Sequence, residues 1–173
     1  MKIAITGSNH SLGKNICESL VNHELIRLDR PENYVDTIEE IVDDCDIFIN
    51  CGYKDTTQTI LFEKVFKKWI YEKKTIINIL TSALIFGSPN KKYVDDKRNL
   101  EQKTLELRTP DKEVRIINVY PHTLESTTTA PNQKLKFSEV SDIIIWIIEL
   151  PQDIEIFEIG ISKTKLKIEN TLI

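Results

Sequence analysis

Cysteine is scarce in this sequence, and its spacing does not suit a metal. Cys17, Cys45 and Cys51 fall at no metal-ligand spacing. An odd number of cysteines with no recognisable secretion signal is expected of free thiols in a reducing cytoplasm. His10, His23 and His122 have no cysteine or carboxylate at ligand spacing, so no metal is expected. Long apolar runs are also missing. The longest, Ile143 to Ile148, is far too short to cross a bilayer, so no membrane partner is expected. There is no excess of basic charge: the net charge is −4 and the pI near 5.5, the reverse of the usual nucleic-acid footprint. The lysine pairs Lys67-Lys68, Lys73-Lys74 and Lys91-Lys92 are interleaved with acids and read as solvated helix faces. Repeats, low-complexity tracts and long linkers are absent too, so residues 1–173 are expected to form one domain.

What is present is alternation. Residues 40% hydrophobic and 29% charged make a soluble globular chain. Short β-rich runs at 2–6, 24–28, 46–50, 75–80, 113–119 and 154–161 predict six strands. Helical spacing predicts helices over 12–22, from Pro31 through Val42, and over 57–73, 91–108 and 137–149. In the 57–73 helix the inward residues are expected to be Ile60, Leu61, Val65, Phe66 and Trp69. Such a pattern implies an α/β fold: a parallel, doubly wound sheet covered by helices on both faces. Ligands of such sheets bind beyond the carboxyl ends of the strands. Polar and glycine residues collect there, after residues 6, 29, 50, 80 and 120.

Three motifs stand at those ends. The first is TGSNHSLG, Thr6 to Gly13, between a strand and a helix. Such a turn can offer backbone N–H groups and the positive helix end to a pyrophosphate. Gly7 allows the turn and Gly13 a close helix, but Ser11 stands where the smallest residue is wanted, so a plain turn remains an alternative. The second is Asp29-Arg30: the acid can accept from an adenosine ribose and favours NAD, while the arginine suits the 2′-phosphate of NADP. The third is YVDDK, which places Tyr93 and Lys97 on one helix face. An ammonium beside a phenol is expected to lower its pKa and make it a usable acid or base. With five tyrosines and eighteen lysines, chance alone gives roughly half an occurrence of this spacing; its position after Thr81-Ser82 gives it weight.

Together TGSNHSLG, Asp29, the NCG at 50–52, TSALIFG at 81–87, YVDDK and VYPHTLEST at 119–127 resemble the short-chain dehydrogenase/reductase family, in the family's order and over nearly the whole chain. TSALIFGSP is most similar to the extended, sugar-nucleotide-modifying branch, and MKIAITGSNHSLG and CDIFINCGYKD resemble the dTDP-4-dehydrorhamnose reductase type. The resemblance implies a three-layer Rossmann-type fold and an NAD(P)-dependent oxidoreductase acting on a small carbonyl or alcohol. It implies Ser82 as the substrate hydroxyl, with Thr81 as the other choice, Tyr93 as proton donor or acceptor, and Lys97 on the nicotinamide ribose. Gly7, Ser11, Leu12 and Gly13 would face the pyrophosphate, Asn50 and Gly52 the adenosine–ribose path, and Ser126 or Thr127 the carboxamide. It also implies a homodimer or homotetramer paired through the 57–73 and 91–108 helices.

The departures are specific. Ser11 replaces a glycine, and so does His122. The proton-relay asparagine has no clear match, Gln58 or Thr59 lying nearest. Between Asp29 and Asp46 there is room for one helix only, so one edge strand is expected to be missing, and the substrate lid is short or absent. These losses keep a second reading open: a non-catalytic nucleotide-binding or scaffold protein on the same fold.

Overall fold

The computed structural model describes residues 1–125 and 134–163. Its strands are β1 (Lys2–Thr6), β2 (Glu24–Leu28), β3 (Ile47–Asn50), β4 (Thr75–Ile79), β5 (Arg115–Pro121) and β6 (Glu158–Ile161). They form one sheet in the order β2-β1-β3-β4-β5-β6, every neighbouring pair parallel. The helices are α1 (Ser11–Ser19), α2 (Ile38–Ile41), α3 (Thr57–Trp69), α4 (Ala83–Phe86), α5 (Lys91–Glu106) and α6 (Phe137–Glu149).

Side chains alternate across each strand, so each apolar run feeds two cores. Ile3, Ile5, Ile47, Ile49, Ile77 and Ile117 point to one face and pack under α1 and α6. Ala4, Phe48, Ile76 and Ile116 point to the other and pack under α2, α3 and α5. This double burial is why the strands read as continuous apolar runs rather than alternating ones.

Dinucleotide-binding sheets of this kind carry the order 3-2-1-4-5-6; here the strand outside β2 is gone, so β2 is the edge, while the other half carries four strands, β3 to β6. The strand order turns back at β1, whose successors β2 and β3 lie on its opposite sides, and this puts the ligand crevice over the carboxyl ends of β1 and β3. The segment after Pro31 differs from the single helix expected. It forms a 3-10 turn, Pro31–Tyr34, and only the short α2. Asp36 and Thr37 interrupt it, as residues whose side chains compete for backbone groups do. In α3 the buried stripe includes Phe62, while Ile60 lies off it and is exposed. The last strand starts at Glu158; Ile154 and Phe157 before it are exposed. No described helix is long and apolar enough to cross a membrane.

Candidate functional site

The carboxyl ends of the strands open into one cleft of about 810 Å³, lined by Gly7, Asp29, Gly52, Thr81 and Pro121 among others. In chain order these belong to the tips of β1, β2, β3, β4 and β5.

At the switch point, the backbone is packed to its limit. Thr6 Oγ1 accepts from the N–H groups of Cys51, at 3.0 Å, and Gly52, at 2.9 Å, and so ties the tip of β1 to that of β3. Gly7 has φ +70° and its missing Cβ would lie 2.8 Å from Gly52 Cα. A Cβ on Gly13 would stand 2.2 Å from Gly7 O. The three glycines therefore interlock β1, β3 and α1. No side chain caps α1, so the N–H groups of Ser11, Leu12 and Gly13 have no intrahelical acceptor and present the positive end of the helix to the cleft. Ser11 holds φ +43°, the conformation a glycine would take without strain.

On the β2 side, Asp29 Oδ1 is buried without a hydrogen-bond partner, with His10 Nε2 3.4 Å away. Arg30 follows, exposed on the same wall. An orphaned acceptor, uncapped helix N–H groups and a glycine junction fit an adenosine diphosphate moiety.

Over β4, α5 brings in the YVDDK motif. Asn90 Oδ1 accepts from Tyr93 N at 3.1 Å and starts the helix. Lys97, one turn on, is fully buried. Its Nζ donates to Gln58 Oε1 and to Ile79 O, both at 2.6 Å. Gln58 is itself fixed, its Nε2 donating to Asn50 O at 2.8 Å. Burial pushes Lys97 down to about 8. Tyr93 is pushed up by its own burial, with the Thr81 hydroxyl opposing that shift and Cys51 adding to it.

Two expectations are corrected here. The fall expected of Tyr93 is not found: its own burial raises it, and the Lys97 ammonium, 5.7 Å from the ring centroid, is held by two carbonyl oxygens. The Asn50 side chain, expected along the adenosine–ribose path, is buried and does not line the cleft. Its Nδ2 donates to Gln58 O at 2.8 Å and Asn78 Oδ1 at 3.1 Å, inside the core under α3. Between the two hydroxyls, that of Thr81 is the one close enough to act on Tyr93, while Ser82 begins α4 on the cleft wall. Ser126 and Thr127 lie outside the described residues. Tyr53, which no motif marked, joins the site: its ring meets that of Tyr93 edge-on at 4.9 Å. Beyond, His122 stacks on Phe86 at 5.4 Å. Among the described residues no cluster of three His, Cys, Asp or Glu is placed to hold a metal.

No protein-family model matches the chain, and neither does any curated protein. Solved structures do match. Serine dehydrogenase from Escherichia coli superposes with TM-score 0.72 at 17% identity, over 94% of this chain and 98% of that one. The 3-ketoacyl-(acyl-carrier-protein) reductase from Brucella melitensis, complexed with NADH, gives 0.73 at 12%, over 92% and 96%. The alcohol dehydrogenase from the archaeon Thermococcus sibiricus, complexed with 5-hydroxy-NADP, gives 0.70 at 14%, over 94% and 96%. This chain has their fold. None of these three is named as a sugar-nucleotide enzyme, so the likeness to that branch finds no support among them.

The buried ammonium makes stability depend on pH. Lys97 has an ordinary value of 10.5 and a folded value of about 8. Below pH 8 both states carry the charge and the burial penalty is felt in full. Between 8 and 10.5 the folded state releases its proton first, so stability rises with pH. The span corresponds to about 3 kcal/mol. Lys97→Met lacks this slope. Its unfolding free energy, relative to the native chain, is expected to shift by about 2 kcal/mol between pH 7.5 and 9.5 in urea titrations. Parallel curves for the two chains would rule out the depressed lysine.

Proposed function

We propose that this chain is a nicotinamide-dinucleotide-dependent oxidoreductase of the short-chain dehydrogenase/reductase type, acting on a carbonyl or alcohol. The observation that carries the reading is the convergence of Tyr93, Thr81 and Lys97 on the same cleft as the Gly7–Gly13–Gly52 junction and the uncapped end of α1. Gly7, Ser11, Leu12 and Gly13 would hold the pyrophosphate, Asp29 or Arg30 the adenosine ribose, and Lys97 and Tyr93 the nicotinamide side. The nicotinamide supplies or takes up the hydride. Tyr93, protonated at neutral pH, gives its proton to the substrate oxygen as negative charge develops there. Thr81 bonds the phenol and orients it. Lys97, held by Gln58 and Ile79, places a positive charge beside the phenolate that remains. Ser82 offers a second hydroxyl on the wall of the cleft.

The orphaned Asp29 Oδ1 supports NAD, and Arg30 with His10 supports the 2′-phosphate of NADP. A fluorescence titration with NADH and with NADPH decides between them. At least one is expected to saturate with Kd below about 1 mM, roughly −4 kcal/mol. Binding of neither would end the proposal. Ser11 favours a second reading, a non-catalytic dinucleotide-binding protein, because its side chain occupies the place of closest approach. Saturable binding without turnover across a panel of carbonyls and alcohols would select that one. Pairing of two copies through α3 and α5, where Ile60 and Leu105 stand exposed, belongs to the same proposal; a monomer by light scattering removes it.

A further inference from the structure

We infer that Tyr53 is a positioning residue whose ring, set at right angles to that of Tyr93, completes a two-walled aromatic corner that keeps the Lys97 ammonium charged and in place. The inference rests on the acid–base reading of Tyr93 and Lys97 given above.

The corner is defined by three contacts. The Tyr53 and Tyr93 rings meet at 81° with centroids 4.9 Å apart. Lys97 Nζ lies over both, 5.6 Å from the Tyr53 centroid and 5.7 Å from that of Tyr93. At these distances ring quadrupoles attract a cation, most strongly where water is excluded. The need for such help is plain from the other partners. Among the described residues no carboxylate pairs with Lys97. Its two hydrogen bonds go to neutral oxygens, Gln58 Oε1 from α3 and Ile79 O from β4. Cys51, the thiol facing it from the tip of β3, is pushed up to about 12 by burial and stays uncharged. A desolvated ammonium so placed would lose its proton unless something else favoured the charge.

Tyr53 is held for that task. Its hydroxyl donates to Asp96 Oδ2 at 2.8 Å, and the same oxygen accepts from Lys92 Nζ at 3.0 Å. Lys92 bridges on to Asp55. A phenol donating to a carboxylate carries more electron density in its ring, which strengthens the face turned to Lys97. Desolvation and the bond to Asp96 raise Tyr53 to about 12, so it remains a neutral donor over the working range. The carboxylate on α5 that a Lys97 partner would need is thus spent on Tyr53, one ring away.

The test is a titration of the Lys97 ε-carbon resonance in protein labelled with 13C at lysine, assigned by its loss in Lys97→Met. In Tyr53→Leu the midpoint is expected to fall by about one pH unit, tenfold in proton affinity. In Tyr53→Phe, which keeps the ring, it should stay within about 0.3 unit of the native value. Tyr53→Trp gives a check if the leucine variant folds poorly. The position is 40% exposed and admits the larger ring, whose stronger face should hold or raise the midpoint. An unchanged midpoint in Tyr53→Leu overturns the inference. So does a rise toward ordinary lysine, which would make Tyr53 a water shield, or an equal fall in Tyr53→Phe, which would credit the hydroxyl. The titration needs neither cofactor nor substrate. A chain without turnover that shows the expected shifts loses the proposed function only; an active enzyme without them loses this inference only.

Discussion

Gly13→Ala is expected to cost about 3 kcal/mol of stability and, by about the same free energy, a hundredfold or more in dinucleotide affinity. Helix propensity alone argues the other way: alanine is favoured over glycine inside a helix by about 1 kcal/mol. A measured loss must therefore come from the clash. The added Cβ would stand 2.2 Å from Gly7 O and 2.8 Å from Gly7 C, both backbone atoms. Gly7 has no room to retreat. Its own Cα faces Gly52, and its N–H donates to Asp29 O at 3.1 Å. Relief requires α1 to tilt off β1, which carries the first-turn N–H groups away from the cleft. Two residues earlier the sign reverses. Ser11→Gly releases a positive φ of 43°, adds about 1 kcal/mol of stability, and frees the approach to the helix end. Urea unfolding and NADH titration on the two variants read both effects. A Gly13→Ala chain that is as stable as the native one and still binds would show that the interlocked glycines do not shape the site.

Much of this was legible in the residues, and what was not has a common cause. The apolar runs marked the strands because burial on both faces leaves no polar positions in them, and the glycines marked the strand tips because only there does the backbone need them. Asn50 shows the limit. Each of IFIN, IINI and IINV carries an asparagine in an apolar run. The family resemblance of NCG suggested the cofactor for the first. Register pairs Asn50 with Asn78 and Asn78 with Asn118, on the face covered by α3 and α5. There they bond one another, with Asn78 also reaching Thr104, a buried polar row in which Asn50 Oδ1 and Asn118 Nδ2 are left without a hydrogen-bond partner. Which way an asparagine faces depends on the pleat and its neighbours, not on its own run. Thr81 and Ser82 differ by one residue, and where α4 begins decides between them. The direction of the Tyr93 shift is set first by its burial, which i, i+4 spacing does not contain. Tyr53 belongs to no spacing at all; the loop after Gly52 delivers it.

Tyr93→Phe is expected to lower turnover by about a thousandfold or more, the range for removing a positioned general acid, while leaving NADH or NADPH affinity within about threefold of native. The ring stays, so the corner around Lys97 and the packing of α5 stay with it; only the transferable proton goes. Thr81→Ala should follow in direction, by about a hundredfold, because it removes the hydroxyl that orients the phenol. Ser82→Ala should stay within about fivefold, because Thr81 and not Ser82 acts on the Tyr93 phenol. The pH profile adds a constraint. Burial keeps the Tyr93 proton on beyond the ordinary tyrosine range, so carbonyl reduction should not fade through loss of the acid itself near neutrality. It should instead decline as Lys97 loses its charge around pH 8, since the phenolate left by proton transfer then forms without a neighbouring cation. Alcohol oxidation runs the other way and should still be rising at that pH, because Tyr93 must first give up its proton to act as the base. Full turnover in Tyr93→Phe would remove the phenol from the reaction. Equal losses in Thr81→Ala and Ser82→Ala would mean that the substrate oxygen sits between two hydroxyls rather than under one. A reduction profile flat through pH 9 would separate Lys97 from the proton transfer and leave it the anchor of α5 against β4.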